Sequence, residues 1–211
     1  MPRGPSAKFD FQREQILVVA ARLFAASGYS ATSMNEVAEA LGTSKANLYH
    51  YVRDKYKLLV EICETHIARL ESVVREVEQQ NLAPEPRLRQ LVLRFVQEYA
   101  NAQNEHRVLT EDVKFLNPED QERILQGERR VVAVFAHTLA KLRPGLDAAG
   151  LTKPLTMLLF GMINWMFTWL KPDGELTHED MAPIVADLFF GGIDAVGVTR
   201  IAALSAANDS A

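Results

Sequence analysis

Between Thr32 and Lys55 the chain gathers side chains suited to hydrogen bonding rather than to bond cleavage. The Asn47 amide matches the donor and acceptor pair on the adenine edge, and Lys45 reaches a guanine edge or a phosphate. Tyr49 and His50 offer a phenol and an imidazole to phosphates, or apolar contact to a thymine methyl. Ser44 flanks this group. Thr32 and Ser33 bring hydroxyls, and Lys55 an ammonium, to positions where phosphate oxygens are expected. The chemistry implied is reversible recognition of a DNA duplex.

The surrounding residues position these groups. Ser33-Met34-Asn35-Glu36 reads as a capping box, with a hydroxyl at the N-cap and a carboxylate three residues later. Val37, Ala38 and Leu41 then recur at helical spacing. Gly42 stands where that helix must stop, because glycine accepts the left-handed conformation after a last turn. Thr43 and Ser44 can cap a second helix that turns Leu48 and Val52 inward and Lys45, Asn47, Tyr49 and His50 outward. Asp54 is an N-cap for a third, with Lys55 in its first turn, and helix N-termini attract phosphate. This order is a helix-turn-helix, whose second helix enters the major groove. A helical hairpin with a solvated polar face would explain some of these features, but not capping box, glycine turn, short polar helix and lysine-bearing cap together.

The same residues resemble the DNA-binding domain of the TetR/AcrR family of transcriptional regulators. The likeness rests on Ala31-Thr32-Ser33, Val37-Ala38-Glu39-Ala40-Leu41-Gly42, Ser44-Lys45, Leu48-Tyr49, Lys55 and Leu58-Leu59. Upstream, Ile16, Ala20, Ala21, Leu23-Phe24, Gly28 and Tyr29 fit the family's first helix. Turns, caps and core positions agree over about fifty residues. Ala46 replaces a frequent glycine, Val52 a usual aromatic and Tyr56 a common acid. These departures bear on the operator, not on the fold.

Composition fits this reading. The 211 residues are 48% hydrophobic and 24% charged, ordinary values for a soluble globular protein. The net charge of −4 is unevenly spread. Residues 1–57 hold 8 Lys/Arg and 5 Asp/Glu, a net +3; the remainder holds 15 and 22, a net −7. A basic module on an acidic body suits a DNA-binding regulator. The single cysteine, Cys63, allows no intramolecular disulfide and reads as a small packing residue. A reducing cytoplasm is the expected compartment, and residues 1–8 lack a secretory apolar segment. The most apolar stretch, residues 155–170, is 16 residues long, too short for a membrane span. No glycine-rich phosphate loop, zinc motif or nucleophile elbow occurs, so no catalytic residue, metal site or cofactor is expected.

The expected architecture is all-α. A helix-turn-helix domain over residues 1–53 precedes an effector-binding and dimerisation domain over residues 54–211. A short arm over residues 1–8 leads to helices over about 9–27, 54–80, 87–104, 107–116, 117–143, 152–170 and 177–203. Within 160–170, Phe160, Asn164, Trp165, Thr168 and Trp169 put large rings and polar groups into one apolar helix. That composition suits core packing, and it also suits the wall of a ligand pocket. The segment from Asn164 to Gly174 resembles the family branch that senses CoA thioesters, which implies an apolar acyl or aryl effector. Arg87, Arg89, Arg94 and Lys171 could then meet its phosphates. The last helix, with Phe189, Phe190 and Ile193, is too apolar for an exposed end. The family pattern pairs it and its predecessor with their copies in a twofold homodimer. The function expected is a ligand-released repressor of transcription. The alternatives are a helical small-molecule-binding or enzyme-like protein without regulatory DNA binding, and an activator or architectural DNA binder.

Overall fold

The computed structural model describes residues 5–171 and 174–196, with side chains from Lys8 onward. The Pro172–Asp173 step, the first four residues of the terminal arm and the end of the last expected helix lie outside the described residues. Eleven α-helices and no strand occur among them. They are α1 (Pro5–Ser27), α2 (Met34–Ala40), α3 (Lys45–Tyr51), α4 (Lys55–Gln79), α5 (Pro84–Asn101) and α6 (Gln103–Asp112), with a 3-10 turn at Val113–Phe115. Then come α7 (Pro118–Leu142), α8 (Pro144–Ala148), α9 (Thr152–Asn164), α10 (Met166–Trp169) and α11 (His178–Asp194).

Proline sets several starts. α1, α5 and α7 each open on one, because a fixed φ and a missing N–H suit the first helical turn. α1 therefore begins four residues before the expected helix over 9–27, and α5 three residues before the one over 87–104. Asn117 Oδ1 caps α7 by accepting from the Asp120 N–H at 2.8 Å. Thr177 and Asp180 form a reciprocal capping box at the start of α11.

The chain divides into two compact units, residues 1–69 with 102–127 and residues 70–101 with 128–211. The helix-turn-helix thus shares its unit with the first part of α4, with α6 and with the start of α7. In this unit Ile16, Ala20 and Phe24 of α1 are buried with Val37, Leu48, Leu58, Leu59 and Ile62. Each large side chain withdrawn from water contributes about 1.5–3 kcal/mol. The Tyr56 hydroxyl donates to Asp120 at 2.6 Å and accepts from the Asn117 N–H at 3.0 Å, joining the starts of α4 and α7.

The second unit packs α5 against α11 and α9. Its centre is aromatic. The Phe95 and Phe135 rings lie 4.9 Å apart, Phe135 and Phe160 4.8 Å, and Phe95 and Phe160 6.2 Å. All three pairs are edge-on or tilted, the arrangements that ring quadrupoles favour. The single helix expected over 152–170 is interrupted at Trp165, and α8 is an additional short helix. The Thr168 hydroxyl and N–H both bond the Trp165 carbonyl, at 2.7 and 3.1 Å. That local pairing competes with the regular helical ladder.

Candidate nucleic-acid interface and effector site

The recognition elements are held by caps written into the sequence. Ser33 Oγ accepts from the Glu36 N–H at 3.3 Å, and Glu36 Oε2 accepts from the Ser33 N–H at 2.7 Å. These contacts hold the Glu36 carboxyl below its usual pKa, the Ser33 hydrogen bonds being the main cause. α2 stops as expected at Gly42, whose φ is +63°. The Gly42 N–H reaches the Glu39 carbonyl at 2.9 Å and the Thr43 N–H the Ala38 carbonyl at 3.0 Å. This pair of bonds is the Schellman termination. Ser44 then caps α3, accepting from the Asn47 N–H at 3.1 Å.

Leu48 is the buried anchor of α3. Ser44, Lys45, Asn47, Tyr49 and His50 are all exposed on its other faces. The Lys45 ammonium lies 6.0 Å from the Tyr49 ring, one turn away. Asn47 Nδ2 donates to Thr43 Oγ1 at 2.8 Å. Phe9, on α1, stacks on Tyr51 at 4.8 Å and meets His50 edge-on at 6.1 Å. In the sequence Thr43 stood out only as a possible cap, not as a partner of the Asn47 side chain, and Phe9 did not stand out as a neighbour of the recognition helix. Thr43 lies at i−4 to Asn47, a spacing that could have flagged it, whereas Phe9 lies 41 and 42 residues upstream of His50 and Tyr51 with no local signal.

Two expected phosphate contacts are otherwise engaged. Thr32 is buried, and its hydroxyl donates to the carbonyls of Gly28 at 3.0 Å and Leu23 at 3.3 Å. Lys55 Nζ reaches the carbonyls of Tyr29, Thr32 and Ser30, at 2.9, 2.9 and 3.3 Å. Its three donors are thus directed at backbone. Thr32 and Lys55 fasten the loop between α1 and α2. Ser33 remains exposed at the N-terminus of α2.

The five expected effector residues do not share one environment. Phe160 is buried in the aromatic centre of the second unit. Asn164 follows one turn later; its Oδ1 is buried and has no hydrogen-bond partner among the described residues. Trp165 and Trp169 are 63% and 52% exposed, and Thr168 is exposed with them. Ile163 and Met166 take the inward positions instead. In α11, Phe189, Phe190 and Ile193 are buried within the chain, while Ile184 and Leu188 face outward. Cys63 is buried. Among the described residues no cluster of His, Cys, Asp and Glu could hold a metal ion, and no helix is long and apolar enough to cross a membrane.

A basic, capped helix-turn-helix followed by an all-helical second unit defines a class, the helix-turn-helix transcriptional regulators. The family of bacterial regulatory proteins typified by the tetracycline repressor matches at both ends. Its DNA-binding part, "Bacterial regulatory proteins, tetR family", fits residues 16–62. Its "Tetracyclin repressor-like, C-terminal domain" fits residues 81–193. The chain belongs to the TetR family of transcriptional regulators, a non-enzymatic family. It is 26% identical over 199 residues to the transcriptional activator FasR of Mycolicibacterium smegmatis, covering 94% of this chain and 90% of FasR. It superposes on a TetR-family regulator from Bordetella parapertussis with a TM-score of 0.80 and 34% identity, covering 84% and 93% of the two chains. AibR, solved in complex with isovaleryl coenzyme A and operator DNA, superposes with a TM-score of 0.72 and 27% identity, covering 83% and 96%.

Proposed function

We propose that this regulator is a homodimeric, cytoplasmic repressor that reads operator DNA with α3 and loses operator affinity when an apolar CoA thioester binds its second unit. The observation carrying the DNA reading is the exposure of Ser44, Lys45, Asn47, Tyr49 and His50 around a helix whose start and predecessor are both capped. Ser33 is assigned to phosphate at the start of α2. Thr32 and Lys55 are assigned to hold the loop that presents it. The DNA-binding role is assigned to residues 1–53 and the effector and dimerisation roles to residues 54–211.

The effector reading rests on Phe160 and Asn164. Residues four apart share a helix face, so the ring and the amide look the same way. A buried carbonyl oxygen without a partner is costly, and a ligand donor would relieve that cost. AibR, with isovaleryl coenzyme A and operator DNA in one complex, makes an acyl-CoA the first class to test. Since that complex holds both ligands together, release is treated as a shift in affinity rather than mutual exclusion. The exposed Trp165, Thr168 and Trp169 are moved from the effector site to the outer face. Met157 and Leu158 of α9, Trp165 just after it, and Ile184 and Leu188 of α11 are exposed apolar side chains suited to a second copy.

Fluorescence anisotropy of the full chain on genomic duplexes, with scrambled duplexes as controls, tests the DNA reading. Titration of the resulting complex with short-chain acyl-CoAs, aryl-CoAs and free acids tests the effector. No sequence-specific duplex would remove the regulator reading of the interface. Operator binding unchanged by every thioester would remove the CoA reading alone.

A further inference from the structure

The Schellman turn after α2 fixes the backbone of Thr43 through its N–H bond to the Ala38 carbonyl. Thr43 is half-buried, and its hydroxyl oxygen receives one of the two Nδ2 hydrogens of Asn47 at 2.8 Å. Asn47 is the third residue of α3, and its own N–H is held by Ser44. The amide is thereby tied at both its backbone and its side chain. One Nδ2 hydrogen and Oδ1 remain for a partner.

We infer that Thr43 is a positioning residue that sets the base preference of Asn47, making it selective for adenine over guanine. This rests on the reading of α3 as the recognition helix. Adenine presents an acceptor at N7 and a donor at N6, the complement of one N–H and one carbonyl oxygen. Guanine presents acceptors at both N7 and O6. Against guanine, the tethered Oδ1 would oppose O6. An Asn47 freed from Thr43 could swing both Nδ2 hydrogens toward guanine, so the discrimination would narrow. Selectivity here comes from denying the amide a second donor, a repulsive as well as an attractive device.

Thr43→Val removes the acceptor at nearly constant shape, and the position after a Schellman turn accepts an apolar side chain. Thr43→Ser keeps the hydroxyl, and Thr43→Ala is a second way to lose it. The full-length parent and each variant are used to select sequences from a random duplex library. Anisotropy then measures affinity for the selected operator and for its adenine-to-guanine counterpart at the position sensitive to Asn47→Ala. The parent and Thr43→Ser should discriminate by about tenfold or more, the range of one bidentate base contact. Thr43→Val and Thr43→Ala should discriminate by no more than about threefold on the same scale, with the salt dependence of binding unchanged. If Asn47→Ala abolishes the preference but both hydroxyl-free variants keep it, Thr43 has no positioning role and the recognition-helix reading stands. If Asn47→Ala leaves every base preference intact, Asn47 does not read bases and the inference falls with that assignment.

Discussion

The Lys55 ammonium sits 4.4 Å from the centroid of the Tyr29 ring and donates a 2.9 Å hydrogen bond to the Tyr29 carbonyl. With the carbonyls of Ser30 and Thr32 also in reach, one cation at the start of α4 closes the loop between α1 and α2. That loop ends at Ser33, the N-cap of α2. The recognition elements are thus attached to α4 by this side chain as well as by their apolar core.

Lys55→Met should therefore act first on stability. A hydrogen bond to a charged group contributes about 1.5–3 kcal/mol. Urea unfolding followed by far-UV circular dichroism should show a loss of that order. Lys55→Arg should not restore it fully, since a planar fork cannot direct donors at three carbonyls as an ammonium does. Unchanged stability in Lys55→Met, with weaker binding to all duplexes, would return Lys55 to a direct phosphate contact.

Ser33→Ala removes the N-cap of α2 and should cost about 1 kcal/mol, with Ser33→Thr largely neutral. The pH dependence follows from Glu36, whose folded pKa is depressed by its Ser33 contacts. A depressed carboxyl stabilises the fold above its unfolded pKa, and that contribution disappears as pH falls through the folded value. The gap between parent and Ser33→Ala in urea unfolding should shrink in acid. A gap constant down to acid pH would separate Glu36 from the cap.

These local devices were legible in the sequence because their partners lie within a few residues. Ser33 with Glu36, Gly42 after Leu41, and Thr177 with Asp180 are contacts between sequence neighbours, so residue type and spacing define them. Thr32 and Lys55 were legible as important but not in role. The partners of Lys55 lie 23 to 26 residues away, and a lysine at a helix start reads equally as a phosphate contact. The tryptophans illustrate another limit. Periodicity puts Trp165 and Trp169 on one face without saying whether that face turns inward, and Ile163 and Met166 took the core. In α11 the apolar composition and the family pattern implied a helix that pairs with its copy without saying which residues do so; Phe189, Phe190 and Ile193 are buried within the chain, and Ile184 and Leu188 face outward.

His66 gives a test of the first unit's core. Its Nε2 lies 3.3 Å from His106 Nδ1, and both rings are buried. Burial first, then the charges of His106 and Arg69, push its pKa down to about 3. A folded state that keeps this imidazole neutral is favoured above the unfolded pKa near 6.5 and loses ground as pH falls below it. Stability should decline from about pH 6.5 downward, with a slope from this group approaching about 1.4 kcal/mol per pH unit. In His66→Phe that portion of the slope should be absent when urea midpoints are compared from pH 7.5 to 5. Identical slopes in the two proteins would mean that His66 protonates without penalty.

Leu188, 66% exposed on α11, tests the proposed dimer against the chain's own core. Beside it in sequence, Phe189 is 5% exposed. A carboxylate at Leu188 stays in water in a single chain, so folding should be little affected. In a paired face the same carboxylate would be buried without a partner, which interfaces tolerate poorly. Leu188→Glu should keep its circular dichroism and thermal midpoint at low concentration, yet sediment as a monomer at micromolar concentrations where the parent is a dimer. Phe189→Glu should instead lose helical structure, because it places the charge inside the protomer. Half-site spacing couples assembly to recognition, so Leu188→Glu should also bind a two-half-site operator much more weakly than the parent while keeping its affinity for a single half-site. A dimeric Leu188→Glu would mean that the exposed faces of α9 and α11 are not where two copies meet.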